Sequence, residues 1–166
     1  MSTKKTKPKP SPNKASGKAK TKKDPTQGSD DELADVLGAM VDAAKAVRDH
    51  AYAPYSKFRV GAAILTESGD MFTACNVENA SFGATICAER GAVMAMVAAG
   101  QNDPILAVVV TEGDAPAAPC GMCRQVLAEF NPTLKIVCVS ESKKGDQVKA
   151  HALDKIFPEV FRLKKG

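Results

Sequence analysis

The 166-residue chain has no apolar run long enough to cross a bilayer. Its longest strongly apolar stretch, Gly91 to Gly100, is ten residues of mostly Ala, Val and Met, where a spanning helix needs about 20. The first 29 residues lack Leu, Ile, Val, Arg and every aromatic residue. They hold nine Lys against the single Asp24, together with Pro8, Pro10, Pro12 and Pro25, a composition that cannot bury a core. Lysines with no apolar run behind them do not make a secretory signal, and the missing Arg argues against a mitochondrial presequence. A cytoplasmic location is expected. Histidine is scarce as well, with only His50 and His151. The five Cys are an odd count, and in a reducing compartment they serve as thiolate ligands, nucleophiles or buried thiols more readily than as disulfides.

The basic balance is confined to the tail. The chain carries 23 Lys+Arg and 19 Asp+Glu, a net +4; residues 30–166 hold 14 and 18 of these, a net −4. A nucleic-acid role is therefore expected, if at all, only through residues 1–29, and the folded part does not have a basic binding face. The expected division is a disordered Lys/Pro-rich tail over 1–29 and one folded domain over 30–166, a length that suits a single core.

Ser29-Asp30-Asp31-Glu32 offers a cap and first-turn acids. Leu33, Val36, Leu37, Met40, Val41, Ala44 and Val47 then recur at helical spacing, predicting a helix over 31–51. Pro54 disfavours helix at Ala53. Val60–Thr66, the turn Ser68-Gly69-Asp70 and residues 71–77 predict a hairpin. Residues 87–99 are rich in helix formers and close with Gly100. Residues 105–111 and 135–140 read as strands covered on both faces, with a helix from Cys120 to Phe130 between them. The architecture predicted is α/β, a three-layer α-β-α sandwich on a mixed sheet of about five strands.

Three thiols fall in two clusters. Cys87 lies in Thr85-Ile-Cys-Ala-Glu-Arg90, and Cys120 and Cys123 lie in Ala118-Pro-Cys-Gly-Met-Cys-Arg124. A two-residue gap lets both thiolates of a pair reach one tetrahedral zinc. Neither His lies near these clusters. Three ligands without an obvious fourth suggest a catalytic rather than a structural zinc, because a catalytic site keeps one position open. Glu89, two residues after Cys87, is the carboxylate such a site needs to take a proton from water and pass it on. Zinc with three thiolates is formally −1, so two predicted helix starts, at Cys87 and Cys120, and one or both of Arg90 and Arg124 are expected to offset the charge at the sulfurs. Cys75 and Cys138 read as buried inert thiols, and both His as solvated or satisfied side chains.

Cys-x-Glu opening one helix and Pro-Cys-x-x-Cys opening another is the zinc-deaminase signature in its three-Cys form. With Tyr52-Ala-Pro-Tyr-Ser-Lys-Phe-Arg-Val-Gly-Ala-Ala63, Asn76-Val-Glu-Asn-Ala-Ser81 and Ile156-Phe-Pro-Glu-Val-Phe161 in order, the chain resembles the cytidine deaminases of the small homotetrameric type, from about Ala51 to Phe161. The resemblance implies one zinc per subunit on Cys87, Cys120 and Cys123, with Glu89 as proton shuttle. It further implies that Asn76 and Glu78 hold the ribose 3′-hydroxyl, Phe58 packs on the base and the Ala88 N–H meets the pyrimidine carbonyl. Neighbouring subunits would complete each site through Ala80, Phe82 and Phe161. The family usually has Tyr where Phe82 stands, and Phe82 lacks the hydroxyl that the resemblance would bring to the ribose.

The expected reaction is hydrolytic deamination of cytidine and 2′-deoxycytidine, in pyrimidine salvage. Two other readings stand beside it. One is a deaminase of another cytosine nucleoside such as blasticidin S. The other is a non-catalytic zinc module that binds nucleic acid through its tail, with binding that falls steeply with salt.

Overall fold

The computed structural model describes residues 30–163; the tail expectation for residues 1–29 lies outside them. Helix α1 (Asp30–Arg48) opens on Asp30, Asp31 and Glu32 and closes on Lys45 and Arg48, charges that suit the two ends of the helix dipole. Strands β1 (Val60–Thr66) and β2 (Met71–Cys75) form the hairpin, and α2 (Ala88–Ala98), β3 (Pro104–Glu112), α3 (Gly121–Phe130) and β4 (Lys135–Glu141) follow. Strand β5 (Gln147–Ala152) and the single-turn α4 (Leu153–Ile156) complete the order.

The five strands lie in the order β2-β1-β3-β4-β5. Among hydrogen-bonded neighbours only β3 and β4 run parallel, and the crossover through α3 joins them. Side chains alternate between the two faces. Ala63, Leu65, Val108, Val110 and Val139 pack against Met40 and Ala44 of α1. Ala62, Ile64, Val109, Ile136 and Cys138 pack with Ala88, Ala92 and Met96 of α2 and Leu127 of α3. The result is a three-layer α-β-α sandwich.

Sequence and structure differ at several elements, the single-turn α4 and a short 3-10 turn over Phe82–Ala84 among those not expected. Helix α1 stops at Arg48, short of residue 51, because the chain turns there, with the Ala51 N–H bonded to the Arg48 carbonyl at 2.9 Å. The second hairpin strand ends at Cys75; Val77 instead bridges Tyr52 and Ile86. Strand β5 has no counterpart in the predicted elements, since its Val148, Ala150 and Ala152 alternate with polar residues but stay half-buried or exposed on a sheet edge.

Helix α1 crosses the sheet at Gly61, where a Cβ would stand 1.9 Å from the Ala44 carbonyl oxygen. That contact is with backbone and cannot be relieved by a rotamer change. Gly61→Ala is expected to destabilise the fold by about 3 kcal/mol or more, read as a lower urea midpoint at unchanged slope; an unchanged midpoint would mean that α1 does not lie this close to β1.

Candidate active site

Cys87 and Cys120 occupy equivalent positions, each the extended residue immediately before a helix (φ −72°, ψ 153° and φ −67°, ψ 168°). Their carbonyls accept the first helical bonds, from Gly91 at 3.1 Å and Arg124 at 3.0 Å. Cys123 lies one turn into α3 and is fully buried. The two helix starts thereby bring Cys87 and Cys120, 33 positions apart, to an Sγ–Sγ separation of 4.0 Å, with Cys123 3.5 Å from Cys120. All three sulfurs lie within 4.8 Å of one another. Sulfurs held at about 2.3 Å by one tetrahedral zinc stand about 3.8 Å apart, so this donor set fits the ion.

The electrostatics favour a thiolate at Cys87. The Cys87 thiol is pulled down to about 5 by hydrogen bonding with Cys123 and then by the Arg90 guanidinium, and a thiolate is the form that binds metal. Its partner Cys123 is pushed up, by the shared hydrogen bond with Cys87 and by burial. Arg90 Nη2 donates to Cys87 Sγ at 3.6 Å and to the Thr85 carbonyl at 2.6 Å. Arg124 has a different place: its Nε donates to the Pro119 carbonyl at 2.7 Å and its Nη1 to the Ile156 carbonyl at 2.8 Å. It ties the residue before Cys120 to α4 and makes no hydrogen bond to sulfur.

Glu89 is 6% exposed. Burial raises its pKa above the ordinary carboxyl value, and the charge of Cys87 adds to the shift. A carboxyl placed so can carry a proton closer to neutral pH, as an acid–base group must. It faces a cleft of about 190 Å³ lined also by Phe58, Asn76, Glu78, Cys87, Ala88 and Cys120. The cleft opens at the C-terminal end of β3, where Val109 and Thr111 form part of its wall, and at the starts of α2 and α3. Carboxyl ends of strands are the usual place for ligands in open α/β sheets.

Asn76 and Glu78 are both buried, and both brace the segment before β1. Asn76 Oδ1 accepts the Val60 N–H at 2.8 Å and Nδ2 donates to the Phe58 carbonyl at 2.9 Å. Glu78 Oε2 accepts the N–H groups of Tyr55 at 2.8 Å and Ser56 at 3.2 Å, and its Oε1 accepts the Ser56 hydroxyl. Ser56, Thr85 and Thr111 line the cleft without having been singled out by sequence. Ser56 and Thr85 stand inside quoted motifs, but their hydroxyls match no metal-ligand or nucleophile pattern, and Thr111 sits within the apolar run of β3. Ala80, Phe82 and Phe161 lie outside the cleft wall, and Phe82 and Phe161 are 76% and 69% exposed. Cys138 is buried. Cys75 departs from the expected burial and is only half-buried, because β2 is an edge strand. A larger groove of about 340 Å³ between α1 and the β4–β5 hairpin is lined mostly by aliphatic residues and contains none of these groups.

Residues 36–140 match the model of the cytidine and deoxycytidylate deaminase zinc-binding region. The chain belongs to that family. Among its relatives in this deaminase family, a cytidine deaminase of Sporosarcina psychrophila is 41% identical over 118 residues, covering 70% of this chain and 85% of the relative. A probable cytidine deaminase of Dictyostelium discoideum is 41% identical over 75% of this chain and 83% of its own length. The crystal structure of a Burkholderia pseudomallei cytidine deaminase superposes with a TM-score of 0.70 at 44% identity, covering 75% of this chain and 98% of that one. The deaminase fold and the three-thiol group thus coincide with a family whose matched region binds zinc.

Proposed function

We propose that this chain catalyses the hydrolytic deamination of cytidine and 2′-deoxycytidine to uridine and 2′-deoxyuridine with release of ammonia, a step of pyrimidine salvage. The observation that carries this reading is the buried Glu89 beside three convergent thiols at the end of one cleft. Zinc on Cys87, Cys120 and Cys123, one per subunit, would supply the Lewis acidity that lets water ionise near neutral pH.

The remaining work falls to side chains. Glu89 takes one proton of the attacking water and delivers it to N3 as oxygen adds to C4; it then takes the second, from the hydroxyl now on C4 as the carbonyl forms, and gives it to the departing amine. Its burial favours both halves of the cycle, since a raised pKa lets the same carboxyl accept and return a proton. The α2 and α3 N-termini and Arg90 offset the charge of the thiolates. Phe58 packs on the base, the Ala88 N–H receives the pyrimidine carbonyl, and Asn76 and Glu78 hold the 3′-hydroxyl as donor and acceptor. These contacts keep C4 within reach of the nucleophile, which is where much of the rate arises. The test is a substrate panel: ammonia release is expected from cytidine and 2′-deoxycytidine and weakly or not at all from free cytosine. Preference for blasticidin S would replace the substrate assignment.

The proposed assembly is a homotetramer in which Ala80, Phe82 and Phe161 complete a neighbour's site. Its support is the exposure of Phe82, Phe161, Met94 and Met122, an outlay of apolar surface that partner chains would cover. Phe82→Tyr is expected to lower KM for cytidine about fivefold with kcat unchanged, the effect of one added hydrogen bond of about 1 kcal/mol; an unaltered KM would place Phe82 away from the sugar. No helix among the described residues is long and apolar enough to cross a membrane, and the proposed location is the cytoplasm. Removing residues 1–29 is expected to leave kcat/KM within about twofold, whereas a large loss would assign the tail to the site or the assembly.

A further inference from the structure

We propose that Ser56 is a positioning residue that presents the Glu78 carboxylate to a sugar hydroxyl and so sets how strongly the cleft discriminates nucleosides by their 3′-hydroxyl. The proposal rests on the reading of Glu78 as a sugar contact. A serine hydroxyl has one hydrogen. Here its oxygen accepts the Phe58 N–H at 3.0 Å, and its hydrogen goes to Glu78 Oε1.

The backbone makes that arrangement possible. Lys57 has φ +61°, in the left-handed region, and its N–H returns to the Ala53 carbonyl at 3.2 Å. The chain folds back between Ser56 and Phe58, so that one hydroxyl joins the residue proposed to pack on the base to the carboxylate proposed to hold the sugar. Lys57 Nζ closes the same turn on the Pro54 carbonyl at 2.6 Å.

Counting acceptors shows what is left for a ligand. An ionised carboxylate accepts about four hydrogen bonds. Two on Oε2 are filled by Tyr55 and Ser56 N–H groups, and one on Oε1 by the Ser56 hydroxyl. The open position is on Oε1. Asn76 likewise has its oxygen and one amide hydrogen engaged, leaving one hydrogen to donate. A hydroxyl that gives to Glu78 and takes from Asn76 meets both needs, and a substrate without it leaves both unpaired. The Ser56 hydroxyl is also the largest cause of the lowered Glu78 pKa, ahead of the backbone N–H bonds, which keeps the group in its acceptor form.

The experiment compares kcat and KM for cytidine and 3′-deoxycytidine in zinc-loaded wild type, Ser56→Ala and Ser56→Thr, with Ser56→Cys as a second variant should the alanine form fold poorly by circular dichroism. Wild type is expected to prefer cytidine by about 100-fold or more in kcat/KM. Ser56→Ala should cut that preference about tenfold, through a higher KM for cytidine with kcat within about threefold. Ser56→Thr, which keeps the hydroxyl, should retain it, and Ser56→Cys should fall between. A purely structural loss would weaken both substrates alike. An unchanged preference in the alanine or cysteine variant, an equal loss on both substrates, or no retention by threonine overturns the role of Ser56. Lack of any preference in wild type instead overturns the reading of Glu78.

Discussion

Glu89→Gln is expected to lower turnover of cytidine by about a thousandfold or more while zinc content and fold are preserved. The substitution keeps the shape of the side chain and removes only its ability to exchange a proton. General acid–base groups contribute about 10² to 10⁴ in rate, and in the proposed reaction the same carboxyl acts on the water, on N3 and on the leaving amine. The upper part of that range therefore applies. Because Glu89 is buried and burial works against its charged form, the neutral amide suits the site sterically and electrostatically, and a merely destabilised protein is not the expected outcome. Circular dichroism and zinc analysis of the same sample separate the two. Retention of more than about a tenth of wild-type turnover would remove Glu89 from the proton path.

The second large effect concerns the thiols. Cys123→Ala takes away the buried sulfur of the cluster, which lies 3.5 Å from Cys120. Zinc affinity is expected to fall by more than about 100-fold, beyond what loss of an outer hydrogen-bond partner causes, with turnover lost after dialysis against a chelator. Cys138→Ala is the matched control. Cys138 is equally buried and its thiol is pushed up to about 11 by burial, with Glu89 a further cause, but it sits on β4 within the apolar core. That variant should keep its zinc and lose only about 1–2 kcal/mol of stability to the lost sulfur contacts. Equal zinc loss in both variants would mean that the thiol cluster is not the metal site.

Local pattern made most of this legible. Cysteine directly before two helical stretches, a Cys-x-x-Cys gap and Glu89 two residues from Cys87 are short-range features, and the helix starts that position them are short-range as well. The covered strands β3 and β4 announced themselves as continuous apolar runs. Other features depend on distant pairing. Strand β5 is built from small and polar residues and exists because β4 offers it an edge, with Val139 opposite Val148. Ser56 meets Glu78 across 22 positions, and Arg124 meets the Ile156 carbonyl across 32. No spacing rule encodes such contacts. For that reason Arg124 read from sequence as a charge near sulfur, while the fold gives it to two carbonyls. Phe82 meets the ring of Tyr55 at a centroid separation of 6.2 Å and the Phe161 carbonyl accepts from Gln125 Nε2 at 2.9 Å; neither contact marks a substrate role, and the proposed role of both depends on an assembly.

The most direct test of the account is turnover measured against bound zinc. Protein stripped of metal and reloaded in steps should deaminate cytidine in proportion to the zinc it holds, rising linearly to a maximum at one zinc per chain, with uridine and ammonia formed in equal amounts. Turnover by the stripped protein, or a folded chain carrying one zinc that leaves cytidine intact, would contradict it.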